Sequence, residues 1–201
     1  MVPQQWAVGT GVLLGLLVLT VAGRADEPAT VKAIEKLGGT VTRDDEIAGK
    51  PVVGVDLGGT KITDADLKGL KELKALQTLV LRRTEVTDAG LKKLKELKSL
   101  QTLNLIGTKV TDAGLKELKA VKSLTSLQLF ALPVTDAGLK ELKELKSLQR
   151  LGLSSTGVTD AGLKELKGLQ SLQFLSLIAT KVTDAGVKEL QAARPELKIN
   201  R

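Results

Sequence analysis

The residues best placed to do chemistry in this 201-residue chain are its carboxylates, because it contains no His and no Cys. That absence removes disulfides, thiolate nucleophiles and most zinc sites, and with them the commonest general base at neutral pH. Catalysis would have to run on Asp, Glu, Lys, Ser or Thr. Six aspartates stand out by spacing: Asp64, Asp88, Asp112, Asp136, Asp160 and Asp184 recur every 24 residues. Stacked carboxylates suit hard cations such as calcium. Each of the six also follows a Thr at a position where a helix is expected to start, and negative charge in a first turn complements the helix dipole. A residue needed in every copy of a unit is explained by building the unit. Helix capping is therefore the expected role, and no metal or cofactor is expected.

The other chemical candidate is the cationic excess, a net charge of +7. Lys-Glu runs such as Lys140-Glu-Leu-Lys-Glu-Leu-Lys146 could bind polyanions. Lys and Glu alternate in them without aromatics to stack on bases, so a solvated helix face is expected and nucleic acid is not an expected partner.

The elements that must position these side chains come from an internal repeat. Thr-Asp-Ala-Gly occurs at Thr87–Gly90, Thr111–Gly114, Thr135–Gly138, Thr159–Gly162 and Thr183–Gly186, with a first copy at Thr63–Asp66. Periods of this size mean stacked units that bury their apolar faces on one another. In the unit Leu76–Ser99, Leu79 and Leu81 alternate with other residues, which is strand periodicity. Thr87 is a candidate N-cap, and Leu91, Leu94 and Leu97 form an inward stripe. On an α-helix each step of three falls back by about 60°, so Leu100 would point outward. The helix should end near Lys98, with Leu100 opening the next strand. Gly at the end of the tetrapeptide reads as a minor constraint, because Asp66 replaces it in the first copy. With two Phe, one Trp and no Tyr, the interior must consist of thin layers of Leu and Val.

This spacing resembles the leucine-rich-repeat family, whose pattern L-x-x-L-x-L-x-x-N/C/T-x-L stands here as Leu100-Gln-Thr-Leu103-Asn-Leu105-Ile-Gly-Thr108-Lys-Val110. The repeats look most like those of bacterial exported proteins and are similar to the repeat half of F-box adaptors, although no F-box segment is present. The resemblance implies an α/β solenoid, a horseshoe with parallel concave strands and short convex helices. Thr60, Thr84, Thr108, Thr156 and Thr180 stand at the family's Asn/Cys turn position, where their hydroxyls are expected to bond from unit to unit. The resemblance also implies a concave binding face. Structural positions repeat and functional ones should differ between units. On that ground the candidate partner-binding residues are Val80, Arg82, Asn104, Ile106, Gln128, Phe130, Arg150, Phe174, Ser176 and Ile178. Arg82, Ile106, Phe130, Ser154 and Ile178 share one repeat position and should all project into solvent. Leu132-Pro133 breaks the pattern beside Phe130 and marks a local distortion.

A second resemblance competes. Val53-Gly-Val-Asp-Leu-Gly-Gly-Thr-Lys61 looks like the first phosphate motif of sugar kinases of the actin–hexokinase fold, where an Asp and a Gly-rich turn approach nucleotide phosphates. The segment keeps repeat register, with Val55 and Leu57 matching Leu79 and Leu81. No second phosphate loop or adenosine motif accompanies it.

The ends differ from the middle. Residues 1–23 carry no charged side chain, and the apolar run centred on Val12–Leu19 gives way to Arg24-Ala-Asp-Glu-Pro28. Residues 1–25 are expected to be a signal peptide cleaved near Ala25, with an uncleaved N-terminal anchor as the alternative. Residues 26–50 should form an N-terminal cap, with a helix over Ala29–Leu37 and an irregular stretch to Lys50. Residues 51–201 hold about six repeats and a C-terminal cap, with Pro195 ending the last helix and Leu197-Lys-Ile199 as a strand stub. The expectation is an exported, non-enzymatic binding module in the periplasm, cell envelope or outside the cell. Its partner would be a protein or an envelope polymer, and it would touch membrane only if residues 1–25 stay attached. A structural envelope spacer is the remaining alternative.

Overall fold

The structure, a computed structural model, describes residues 27–201; the expected signal peptide or anchor lies outside the described residues. Helix α1 (Glu27–Lys36) leads into β1 (Thr40–Arg43) and β2 (Val52–Asp56). Short strands then recur: β3 (Thr78–Val80), β4 (Thr102–Asn104), β5 (Ser126–Gln128), β6 (Arg150–Gly152), β7 (Phe174–Ser176) and β8 (Lys198–Asn200). They form one eight-stranded sheet in sequence order. From β2 onward every pair is parallel and in register, so that Leu79, Leu103, Leu127, Leu151, Leu175 and Ile199 stack in one row. The ladder continues past each strand. Leu81 donates its N–H to Asn104 O at 2.9 Å, and Arg83 to Ile106 O at 2.8 Å. Strand alternation sends Leu79 and its equivalents inward, where the leucines are fully buried with Leu81, Leu91, Leu94 and Leu100 and Ile199 at the end of the row is half-buried. No aromatic residue joins this core among the described residues.

Between strands the chain turns back through a helical segment on the opposite side. These are α2 (Asp88–Leu91), α3 (Asp112–Leu115), α4 (Asp136–Leu142), α5 (Asp160–Leu166) and α6 (Asp184–Ala193). In the first three units the segment is partly or wholly 3₁₀, over Asp66–Glu72, Lys92–Glu96 and Lys116–Ala120. A 3₁₀ helix has three residues per turn, so side chains three apart eclipse. The Leu91, Leu94, Leu97 spacing is thereby kept on one side without the drift of an α-helix.

The joint between units is a shared carboxylate. Asp88 Oδ1 accepts the backbone N–H of Thr111 at 2.7 Å, and its Oδ2 accepts the Thr111 hydroxyl at 2.8 Å. The same pair of bonds links Asp64 to Thr87, Asp112 to Thr135, Asp136 to Thr159 and Asp160 to Thr183. Each Thr also caps its own helix, as Thr87 does by accepting from Ala89 N. The aspartates therefore do more than complement a dipole: they clasp the next unit. Two expectations change as a result. A Cβ on Gly114 would overlap Asp88 Oδ1 and stand 3.1 Å from Val110 Cγ1, and each tetrapeptide glycine meets the preceding Asp in the same way. Glycine is therefore a strict requirement of the clasp. Asp66 escapes it because no earlier unit lies above; its own carboxylate instead accepts the N–H and hydroxyl of Thr63 at 2.8 and 2.9 Å. The Thr hydroxyls at the turn also stay within their units, Thr84 Oγ1 donating to Leu81 O at 2.7 Å and Thr108 Oγ1 to Leu105 O at 2.8 Å.

The first and last described elements depart from the repeat. The stretch expected to be irregular contains β1, which pairs antiparallel with β2 through a bulge at Thr42/Arg43. Two groups anchor this cap, Val31 and Ile34 of α1 in the core and Arg43 bonded to Glu27 at 2.9 Å. At the other end Arg194 is 3% exposed and donates to Leu169 O, Gln170 O and Leu172 O while pairing with Glu196. Arg201 takes the last carboxylate, Asp184.

Two outcomes follow from the clasp. Gly114→Ala should lower stability by roughly 1–3 kcal/mol, the usual range for overpacking. In an Asp88→Ala background the same change should cost less than about 0.5 kcal/mol, as at an unconstrained site. Urea melts of the four proteins measure this, and equal losses in both backgrounds would mean the carboxylate is not the obstacle. The second concerns acid. Hydrogen bonds from the Thr183 hydroxyl, then from its N–H, hold the Asp160 carboxyl below its ordinary value. A carboxyl with a lowered folded pKa stabilises fully above its unfolded pKa and loses that contribution as pH falls through the folded one. The urea midpoint should therefore fall on acidification below about pH 4, and fall less in Asp160→Asn.

Candidate partner-binding face

The side chains that alternate with the buried leucines point to the outer face of the sheet and form three rows. Thr78, Thr102, Ser126, Arg150, Phe174 and Lys198 stand in the first. Asp56, Val80, Asn104, Gln128, Gly152, Ser176 and Asn200 stand in the second. Just past the strands come Gly58, Arg82, Ile106, Phe130, Ser154 and Ile178, at the same 24-residue step. All ten residues singled out in the sequence lie in these rows.

Their exposure is uneven. Phe130 is 41% exposed, Phe174 38% and Ile178 47%, while Arg82 and Arg150 are also exposed. Val80, Asn104, Ile106, Gln128 and Ser176 are half-buried. Ser154 departs from expectation: it is buried, with its hydroxyl 2.8 Å from Ser176 Oγ. It is the smallest side chain of its row after Gly58 and lies between Phe130 and Ile178 in register, so it sits low between two large neighbours. Gln128 lies over Gly152, where a Cβ would overlap its amide, and the Arg82 stem lies 2.8 Å from where a Cβ of Gly58 would stand. Reasoning from sequence omitted Lys198 and Asn200 from the face. Counting 24 residues on from Phe174 and Ser176 would have found them.

The row positions are held by a turn of fixed shape. Gly59, Arg83, Gly107, Ala131, Ser155 and Ala179 all have positive φ, between 53° and 73°. Glycine takes this region freely and other residues do not, at about 1–2 kcal/mol each. The distortion expected beside Phe130 shows in the backbone hydrogen bonds: Pro133 has no N–H for the bond that Lys109 donates to Val86 O and Gly157 to Val134 O, and Val134 N donates instead to Leu132 O at 2.8 Å. Leu132 replaces the turn Thr and is buried, while Ala131 keeps the common backbone.

The Gly-rich segment resolves as one more such turn. Asp56 Oδ1 accepts from Gly58 N at 2.7 Å, just as Asn104 Oδ1, two units on in the same row, accepts from Ile106 N at 3.1 Å. Gly59 occupies the positive-φ position and Thr60 bonds to Leu57 O at 2.7 Å. Among the described residues no group of His, Cys, Asp or Glu is arranged to hold a metal ion, and no helix is long and apolar enough to cross a membrane.

Stacked strand–turn–helix units with an in-register leucine ladder define the leucine-rich-repeat fold, an α/β solenoid. The family described as Leucine Rich repeat matches residues 74–95, 96–119 and 144–167. A leucine-rich-repeat protein of Leptospira interrogans is 29% identical, with a TM-score of 0.50 over 67% of this chain and 33% of its own. Two internalins of Listeria monocytogenes share the fold. Internalin C2 has a TM-score of 0.57 at 22% identity over 86% of this chain and 82% of its own. The internalin inlF has a TM-score of 0.53 at 19% identity over 73% and 46%. The chain thus spans a third of the length of the Leptospira protein and under half of inlF. No curated protein matches the sequence.

Proposed function

We propose that this chain is a non-enzymatic binding module that works outside the cytoplasm and holds a protein partner against the concave face of its sheet. The observation that carries this reading is where the aromatics are. The described core is entirely aliphatic, yet both Phe residues of the chain are exposed on one face, with Ile178 in the row beside them. Exposed apolar groups rimmed by polar ones mark interaction sites, and aromatic and Arg anchors carry most of the energy at interfaces. Arg82 and Arg150 stand on the same face. Export rests on the apolar run of residues 12–19 and the small residues Gly23 and Ala25. Leucine-rich-repeat proteins are typically binding scaffolds, which favours this reading over an enzyme or an inert envelope spacer.

Phe130→Ala combined with Ile178→Ser tests the face. Both side chains are exposed, so the melting temperature should shift by no more than a few degrees, while capture of a partner from the envelope fraction of the producing cells should be lost. A double variant that unfolds, or that captures the same partner as well as the parent, removes the proposed face. Titration with ATP in a calorimeter addresses the kinase-like alternative. No heat of binding is expected, and heat that disappears in Asp56→Ala would overturn the non-enzymatic reading.

A further inference from the structure

The helical side of the solenoid carries columns of Lys and Glu whose pairing follows a rule. Lys119 Nζ lies 2.5 Å from Glu141, Lys122 lies 3.8 Å from Glu144, and Lys167 lies 2.8 Å from Glu189. In each case a Lys of one unit meets the Glu 22 residues on, in the next unit. The Lys119 ammonium accordingly holds the Glu141 carboxyl below its ordinary value, as Lys167 does for Glu189. Lys95 and Lys143 have a Glu at the same spacing, Glu117 and Glu165, though beyond ion-pair distance; at the N-terminal end the Glu itself is missing. Lys71 corresponds to Lys119 and Lys167, but the residue 22 positions on is Lys93. Lys71 has only Glu72 of its own unit, at 3.6 Å. A groove of about 280 Å³ opens there, lined by Lys68, Lys71, Lys92, Lys93, Lys95 and Glu96. Five lysines thus line the groove with one glutamate, and Glu72 beside it pairs with Lys71.

We infer that this groove is an anion site, separate from the concave face, for a polymer bearing closely spaced phosphate groups. Lys68 and Lys71, like Lys92 and Lys95, are three residues apart on 3₁₀ turns. Such a turn rises about 2 Å per residue, so their stems are about 6 Å apart along the axis. One phosphate cannot reach the whole set; a ligand with several can. The lysines are solvent-exposed, so binding is electrostatic, salt-sensitive and driven by release of the polymer's counterions. The two units that follow restore Glu at the position of Lys93, as Glu117 and Glu141, and the cationic excess is local.

Long-chain inorganic polyphosphate is a suitable probe, titrated at low salt against the full chain. Saturable binding that weakens as salt rises is expected. Lys93→Glu, which supplies the carboxylate that later units have, should weaken it by about tenfold or more. Lys92→Gln with Lys95→Gln should show a comparable loss without adding a negative charge. Lys188→Glu makes the same charge change on α6 and should alter affinity less than about twofold. Thermal melts establish that each variant folds. Equal losses in Lys93→Glu and Lys188→Glu would reduce the effect to net charge and overturn the site. Three other results would also overturn it: no binding by the parent, equal competition by monophosphate at matched phosphate concentration, and binding only to phosphatidylglycerol vesicles. None of these results bears on the concave face.

Discussion

A carboxylate shared between neighbours holds this array in register. Each unit alone is a three-residue strand and a short helical turn, too small to bury its own leucines. The Asp at the head of one helix satisfies both the N–H and the hydroxyl of the Thr that heads the next, fixing where the second helix begins relative to the first. With that spacing set, the strands pair in register and the leucines close into one continuous row. Thr serves twice, as cap of its own helix and as donor to the previous one. Glycine is the residue that leaves the carboxylate room, and the two terminal units keep the arrangement by local substitutes, Asp66 and Arg201.

The parts of this structure that depend on spacing could be read from the sequence, and those that depend on a neighbour in space could not. Leu79 and Leu81 announce a strand by alternation, Thr87 announces a cap by its type and place, and the Gly-rich segment is disarmed by its register with the units that follow. The identical step of 24 residues makes these inferences independent of any contact. The strict need for Gly114 was invisible because its cause is an atom of Asp88 in the previous unit, and comparison with Asp66 pointed the wrong way. The 3₁₀ turns were missed because an α-helix was assumed when three-residue leucine spacing already suited a tighter one. Strand β1 carries no repeat and only one apolar residue, so nothing in its pattern marked it. Ser154 was placed correctly in its row, yet its burial follows from the bulk of Phe130 and Ile178 on either side.

On the sheet's outer face the same backbone carries unrelated side chains. Arg150 and Phe174 sit one above the other, as do Asn104 and Gln128, and neither pair contributes to the leucine core behind it. This separation leaves these positions free to differ from repeat to repeat without disturbing the core. Four of the six turn positions beside the face accept positive φ without glycine. The ladder bonds on both sides, such as Ala131 N to Ser154 O at 3.1 Å, hold them there. The backbone of the face is therefore held by hydrogen bonds while its side chains vary, and under the proposed binding role a partner would have little backbone to order.

The sameness of the joints between units has a consequence for how such a chain can change length. Antiparallel β1 and the buried Arg194 are each held by the unit beside them. Any whole unit carrying Thr-Asp-Ala-Gly presents the same upper and lower surface as its neighbours. Gain or loss of one whole unit would therefore leave the Thr-Asp clasp and the strand pairing available at each remaining joint. Each added copy extends the sheet by one strand spacing, about 4.8 Å. The architecture is a ruler whose length is set by copy number, and selection can adjust its reach in whole steps without redesigning either terminus.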